Sequence, residues 1–310
     1  MEALLWTTAI VVAIALGMGY PGWRLKRALA QPFPPAWLAI LERNIPIYHR
    51  MQPELQAQLQ RLVQQFLFQK KFVGCEGLAM DDEIRVTIAG QACLLLLNRF
   101  TRVYRKLHTI LVYPSAFLVP RNHADEAGIV HPARQELLGE SWVDGRVVLS
   151  WDHVQRGAGD WTDGQNVVLH EFAHQLDSES GSNNGAPFLG HPGSYRNWSE
   201  VLSRDFNNLR HEAMFHRQSV LDHYGAVSPA EFFAVATETF FEKPWQMAER
   251  HAELYEQFQQ YYRVDPRAWL EPPAPGPEPG PEPGPEPGAE PRFDDPEPPA
   301  SYGTVYGQWR

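Results

Sequence analysis

The chain has 310 residues, and 44% of them are hydrophobic, which is enough for a globular core and for up to two average domains. The formal net charge is −10, and no basic stripe interleaved with aromatic residues is present, which argues against direct nucleic-acid binding. Cys75 and Cys93 form no C-x-x-C pair. We therefore expect two unlinked cysteines and a reducing compartment.

The N-terminal stretch ALLWTTAIVVAIALGMGY, residues 3–20, contains no charged side chain. As a helix it would be roughly 27 Å long, close to the hydrocarbon thickness of a bilayer. The cations Arg24, Lys26 and Arg27 follow it. This asymmetry predicts a single-pass inner-membrane protein, anchored by residues 1–22, with the following domain in the cytoplasm.

Two alternatives to this anchor remain. A cleaved signal peptide would carry its positive charge before the apolar stretch, whereas here the charge follows it, and the A-L-A at 28–30 lies beyond the basic cluster. The other alternative is a cytoplasmic protein without an anchor.

Composition divides the rest of the chain into three parts. Residues 23–45 are predicted to form a juxtamembrane linker, and residues 46–270 a single mixed domain. Residues 271–310 are rich in Pro, Gly and Glu, with a G-P-E-P repeat that offers little apolar surface to bury. We therefore predict an extended, disordered, acidic tail.

The first half of the domain contains the strand signals. The stretch at 53–72 has helical spacing of apolar residues. The stretch at 83–98 begins with strand-like alternation at Ile84, Val86 and Ile88, and then becomes a continuous apolar segment that suits either a helix or a strand. The stretch LHTILVYPSAFLV, residues 107–119, is strand-like with an interruption at its proline.

The next stretch, ELLGESWVDGRVVLSW at 136–151, predicts two strands joined by a turn at Asp144-Gly145. Helical patterns follow from Thr162 to the end of the domain. Strands early and helices late indicate an α+β fold, with a small mixed sheet packed on helices, rather than a doubly wound sheet.

The most informative stretch is GDWTDGQNVVLHEFAHQLD, residues 159–177. Thr162 and Gln165 have capping-box spacing, which predicts a helix that begins near Asp163. The apolar residues that follow recur with helical spacing, so the histidines of this stretch are placed on a helix.

His170 and His174 lie one turn apart and project from the same side of this helix. Two imidazoles at this spacing can bind one Zn²⁺, and Glu171 beside them is placed to act as a general base on a metal-activated water. The H-E-x-x-H motif is short and occurs by chance, but its helical context makes two solvated histidines the weaker interpretation.

A catalytic zinc site needs a third protein ligand. The metzincin pattern is excluded, because Asp177 and Ser180 stand where it requires a glycine and a histidine. A glutamate on a later helix is the alternative, and Ser228 predicts the start of one. Glu231 and Glu238 share one face of that helix, and Glu231 also fits a capping box, so spacing alone leaves both as candidate ligands.

Three segments, VVLHEFAHQLD, GESW at 139–142 and PAEFFAVATETFF, resemble the Mlc titration factor A family of zinc metallopeptidases. The resemblance covers roughly residues 40–265. It implies one zinc ion per chain, with His170, His174 and Glu231 as ligands, and it leaves Glu238 outside the coordination sphere. It also implies a domain like the catalytic domain of anthrax lethal factor, in which the motif helix packs beside a small sheet.

The family resemblance further implies aminopeptidase-like cleavage of peptides and, in enteric bacteria, binding to the transcription repressor Mlc. This chain departs from the family's soluble members in its apolar segment at 3–20 and in its tail. The zinc chemistry is therefore the firmer expectation. The alternative is a regulatory binding protein that captures a partner such as a repressor, with catalysis incidental.

Two further residues receive predicted roles. Asp177 lies three positions after His174, close enough to orient an imidazole of the site, although it could also simply close the helix. Tyr224 precedes Glu231 by seven residues, and the family has a tyrosine at the matching place. Its phenol is predicted to donate to the oxyanion of the tetrahedral intermediate, and a packed structural tyrosine is the alternative.

Overall fold

The computed structural model describes most of the predicted domain. For the strands within 117–142 it describes the backbone alone. The described residues are 6, 20–99, 103–124, 130–137, 139–142 and 145–273. Most of the predicted anchor, and the predicted tail from residue 274 onward, lie outside the described residues.

Among the described residues, no helix combines the length and the apolar character needed to cross a membrane. A span requires about 20 predominantly apolar residues, whereas the helical residues 20–29 include Arg24, Lys26 and Arg27. This finding contradicts the predicted single-pass inner-membrane location, and the prediction of a membrane partner at residues 3–20 is withdrawn with it. Of that stretch, the structure describes Trp6 and Tyr20.

Beyond the helical residues 20–29, the described part of the chain forms helices α1 to α9 and strands β1 to β6. The helices are α1 (Pro35–Asn44), α2 (Pro53–Gln69), α3 (Asp82–Leu94), α4 (Trp151–Gly159), α5 (Val167–Asp177), α6 (Ser194–Met214), α7 (Pro229–Glu242), α8 (Pro244–Arg250) and α9 (Ala252–Tyr262). The strands are β1 (Lys71–Gly74), β2 (Thr109–Tyr113), β3 (Phe117–Ala124), β4 (Val130–Leu137), β5 (Gly139–Trp142) and β6 (Arg146–Ser150).

The main sheet is small and mixed, as the sequence predicted. Its order is β1-β2-β6-β5, with β1, β2 and β6 parallel and β5 antiparallel to β6. Strands β3 and β4 form a separate antiparallel ribbon. The predicted hairpin is confirmed by the pairing of Trp142 with Arg146. Gly145 has φ +83°, and a Cβ there would lie 2.5 Å from the carbonyl oxygen of Lys106, so the turn requires glycine.

The strand predicted at Ile84, Val86 and Ile88 is wrong, because these residues belong to helix α3. Asp81 caps this helix by accepting a hydrogen bond from the backbone N–H of Ile84. Helix α3 contacts α1, α2 and α5, and its residues from Val86 onward are all buried. A helix covered on all sides has apolar residues around its whole circumference, so alternation within it does not indicate a strand.

The predicted helix start near Asp163 is also wrong, because α5 begins at Val167. Thr162 uses its hydroxyl to donate to Asp160, and the backbone N–H of Gln165 bonds to the side chain of Asp163. These local hydrogen bonds build turns, and they replace the capping box that the spacing suggested.

The core surrounds the buried side of helix α5. The Phe172 ring packs on Tyr104 and Phe66, with centroid distances of 4.8 Å and 5.7 Å. Cys93 is buried and Cys75 partly so, and both are free, as predicted. Helix α5 is thereby held against α3, α4, α7 and the sheet, with its position set by apolar packing.

Candidate metal centre

Helix α5 places the two motif histidines side by side. Asn166 caps the helix, since its side-chain oxygen accepts hydrogen bonds from the backbone N–H groups of Val168 and Leu169. His170 and His174 follow one turn apart, with ring centroids separated by 4.9 Å. His174 is only 6% exposed, and the side chain of His170 is 14% exposed.

Helix α7 supplies the acidic group that faces both imidazoles. As predicted, Ser228 caps α7 by accepting from the backbone N–H of Glu231. The side chain of Glu231 lies with Oε2 at 3.0 Å from Nε2 of His170 and at 3.4 Å from Nε2 of His174. The structure thus brings Glu231, rather than Glu238, to the two Nε2 atoms.

Glu238 lies two turns further along α7 and contacts the other nitrogen of the same ring. It forms a hydrogen bond with Nδ1 of His170. The backbone N–H of Asn166 also points to Glu238, at 3.4 Å. A carboxylate on Nδ1 fixes the orientation of the imidazole and leaves Nε2 to bind a metal ion.

The geometry of the three donors fits a small divalent metal. Within the described part of the chain, one group of at least three His, Cys, Asp or Glu side chains could hold a metal ion. It consists of His170, His174 and Glu231, whose donor atoms all lie within 4.8 Å of one another. Zinc–ligand bonds of about 2.0–2.1 Å in a tetrahedron place neighbouring donors about 3.3 Å apart. The observed separations of 3.0 and 3.4 Å from Glu231 are close to that value.

The electrostatics of the site favour a bound cation. Burial lowers the pKa of His170, but the carboxylates of Glu238 and Glu231 outweigh it and raise that pKa well above its ordinary value. Burial raises the pKa of Glu231, but hydrogen bonds to His170 and His174 prevail and lower it. The carboxylates here thus stabilise positive charge.

Glu171 is not one of the three grouped potential ligands, although it lies between the two histidines in sequence. It is 5% exposed, and its negative charge contributes to the raised pKa of His170. Its role as a general base stays a prediction.

Sequence reasoning missed the group that joins the beginning of α5 to α7. The side-chain nitrogen of Asn166, Nδ2, donates to the carboxylate of Glu242 at 3.0 Å and to the backbone carbonyl of Gly157 at 3.3 Å. Burial raises the pKa of Glu242 well above its ordinary value. Asparagine directly before an apolar helical stretch is a recognisable capping signal, whereas nothing in the sequence pairs it with Glu242.

Asp177 is fully buried at the end of α5, and its observed partner lies in the following loop. Its Oδ2 accepts a hydrogen bond from the backbone N–H of Gly185 at 2.7 Å. Burial raises the pKa of Asp177 to about 6. Nδ1 of His174 and Oδ1 of Asp177 each lack a hydrogen-bond partner among the described residues, so a bond between Asp177 and His174 stays a prediction.

Tyr224 lies beside the histidines on the open side of the site. It belongs to the 3-10 helix His223–Ala226, in which Asp222 accepts from the backbone N–H of Tyr224. The Tyr224 ring centroid is 5.9 Å from that of His170, and the side chain is 51% exposed. The predicted role of its phenol stays a prediction.

The arrangement of these residues agrees with comparisons to known proteins. Residues 21–263 match the family described as glucose-regulated metallo-peptidase M90. The chain belongs to the M90 metallopeptidase family. The matched segment includes every residue of the candidate metal centre, and membership of a metallopeptidase family implies a metal ion in this M90 protein.

Curated relatives of this M90 protein extend over most of its length. It is 40% identical to an uncharacterised protein of Synechocystis over 268 residues, which cover 84% of this chain and 98% of that protein. It is 34% identical to Mlc titration factor A of Salmonella gallinarum, over 72% of this chain and 84% of the relative. Mlc titration factor A of Salmonella arizonae is 33% identical, over 74% of this chain and 92% of the relative. The resemblance to the Mlc titration factor A family is thereby confirmed.

Proposed function

We propose that this protein is a zinc-dependent peptidase that hydrolyses peptide bonds. His170, His174 and Glu231 would hold the zinc ion. The proposal rests chiefly on the convergence of these three donors at distances suited to tetrahedral zinc. Three protein ligands leave a fourth coordination position for water or substrate, which is the arrangement of catalytic sites rather than structural ones.

The side chains around the proposed zinc site would each have a distinct role in hydrolysis. A bound zinc ion supplies a Lewis acid and lowers the pKa of a water molecule. Glu171 would accept the proton of the attacking water and return it to the leaving amine. Glu238 would hold His170 in the orientation that presents Nε2.

Tyr224 is proposed to stabilise the transition state from the exposed side of the site. Its ring is adjacent to His170 and half exposed, so a substrate could contact it. A phenol O–H that donates to the developing oxyanion would contribute in the transition state more than in the ground state. Tyr224→Phe should therefore lower kcat more than it changes KM.

Replacing Glu171 tests the proposal directly. Glu171→Gln should retain zinc and lose about 100- to 10,000-fold in peptide hydrolysis, because the amide cannot accept the proton. Hydrolysis is measured on a peptide library, and zinc by elemental analysis of the same samples. Glu256→Gln, at an exposed position of α9, is the matched control and should behave as wild type. Wild-type hydrolysis by Glu171→Gln, or loss of its zinc, would disprove the assigned role.

The family resemblance favours aminopeptidase-like cleavage as the finer assignment. An aminopeptidase must recognise a free α-amino group, so acetylating the N-terminus of a substrate should abolish its hydrolysis. Mass spectrometry of the products of matched free and acetylated peptides distinguishes the cases. Equal cleavage of both peptides at internal bonds would show an endopeptidase instead.

A second candidate function is capture of a transcription repressor, with catalysis incidental. It is supported by the relatives named Mlc titration factor A. Binding to immobilised Mlc can be measured for wild type and for Glu171→Gln in parallel. Equal, tight binding by both proteins would support capture, and absence of binding would leave the peptidase as the function.

A further inference from the structure

A cavity of about 940 Å³ is lined by residues other than the candidate metal ligands. Its wall includes four cationic side chains, Arg99, Arg105, Lys106 and Arg263, and one carboxylate, Glu179. A positively charged wall is unexpected in a chain whose net charge is −10. Clustered cations of this kind concentrate anions at the surface that they line.

Arg99 offers donor capacity that the described residues do not use. Its Nη1 atom is buried and has no hydrogen-bond partner among them. The guanidinium carbon lies 4.1 Å from the centroid of the Tyr261 ring, so stacking holds the group in place. Because the Arg99 side chain also lines the cavity, the part of its guanidinium that faces the cavity can donate to an anion there.

Arg263 occupies a backbone position that ordinarily suits glycine. It follows the last residue of α9 and has φ +58°, in the left-handed region. The backbone there is fixed by a hydrogen bond from the side chain of Asn98 to the carbonyl of Arg263. A non-glycine residue in this conformation is strained, and here its side chain contributes a guanidinium to the cavity wall.

The cavity also has an apolar side. Phe188 and Leu189 line it together with Tyr261. Phe188 is 60% exposed. A wall that combines cations with aromatic and aliphatic side chains suits an organic molecule with an anionic group, since a bare inorganic ion would leave the apolar part uncovered.

We propose that this cavity is a binding site for a small organic anion. Phosphate or carboxylate oxygens would accept hydrogen bonds from the arginines, and the organic body would lie against Phe188. The site adjoins the 3-10 helix Ser178–Ser180, which directly continues α5, and Lys106 donates to the carbonyl of Ser178 in this segment. The proposal does not depend on peptidase activity.

Calorimetric titration of the full-length protein with phenyl phosphate, benzoate and inorganic phosphate tests the site. Phenyl phosphate or benzoate should bind with a Kd of about 1 mM or tighter, and inorganic phosphate more weakly, because it lacks the apolar body. Whichever organic anion binds more tightly identifies the preferred group. Arg105→Gln and Arg99→Gln should each weaken binding about fivefold to tenfold.

Two controls test whether the anion binds in this cavity rather than elsewhere on the protein. Arg61→Gln removes an exposed arginine outside the cavity and should leave the Kd unchanged. Because anions can also bind a metal ion, the titration is repeated after EDTA treatment, and binding should persist. Loss of binding after EDTA treatment would overturn the proposal. So would an unchanged Kd in Arg105→Gln, or no binding of either organic anion to wild type.

Discussion

The two ends of helix α5 are held by different kinds of interaction. At its N-terminal end, Asn166, Glu238 and Glu242 form a buried hydrogen-bonded group that joins α5 to α7. At its C-terminal end, Asp177 bonds to the loop at Gly185. The first end thus connects to the helix that carries the candidate ligand Glu231, and the second to a loop.

The two histidines therefore differ in the partner of their Nδ1 atom. His170 is oriented through Nδ1 by a charge-assisted hydrogen bond to Glu238, whereas Nδ1 of His174 has no such partner among the described residues. His174 contacts Glu231 through its Nε2 atom, at 3.4 Å. Substitutions at the N-terminal end should therefore affect metal affinity, and those at the C-terminal end chiefly stability.

The largest effect should come from removing both histidines together. The double variant His170→Ala, His174→Ala should fall from about one zinc ion per chain to none, and hydrolysis should be lost, because one carboxylate cannot hold the ion. Elemental analysis after dialysis measures the zinc. His191→Ala, at an exposed position, is the control. Undiminished zinc in the double variant would remove the basis of the comparison.

A direct test of the difference between the two ends compares Glu238→Gln with Asp177→Asn. The first should weaken zinc binding about 10- to 100-fold, because it removes the charge that orients His170. The second should change zinc binding less than about threefold, since its observed partner is Gly185. Competition with a chelator measures both affinities. Equal weakening in the two variants would show that Asp177 orients His174 after all.

The helix cap at the N-terminal end should contribute measurably to stability. Asn166→Ala removes the acceptor for two backbone N–H groups and the donor to Glu242. The free energy of unfolding should fall by about 2 kcal/mol, as measured by urea unfolding in EDTA. Asn197→Ala, on the exposed side of α6, should change it by less than about 0.5 kcal/mol. An equal decrease in the free energy of unfolding in both variants would mean that the Asn166 cap does not stabilise the protein more than an exposed asparagine does.

The smallest effect concerns Glu242, whose pKa is raised by burial. The folded state binds its proton more tightly than the unfolded state, so wild type loses stability as pH rises above the ordinary glutamate pKa. Glu242→Gln keeps an acceptor for Asn166 without this loss. The variant should be nearly as stable as wild type at pH 4.5 and about 1 kcal/mol more stable at pH 8. A difference that is independent of pH would contradict the raised pKa.

Short-range features of the site could be predicted from the sequence because they depend on neighbouring residues. Four-residue spacing on a helix places His170 beside His174 wherever that helix packs. Ser228 before Pro229 starts α7 through a local side-chain hydrogen bond. Gly145, at the predicted turn between β5 and β6, has the positive φ that glycine readily adopts.

Tertiary packing decided the rest. Glu231 and Glu238 are equivalent by spacing, and the crossing of α7 over α5 places one on Nε2 of His170 and the other on Nδ1. Ile84, Val86 and Ile88 alternate as in a strand, yet they belong to helix α3, which packs on α1, α2 and α5. The cationic cavity joins Arg99 to Arg263, which are distant in sequence. Spacing within one element specifies a face, whereas the partner that meets this face depends on how the elements pack.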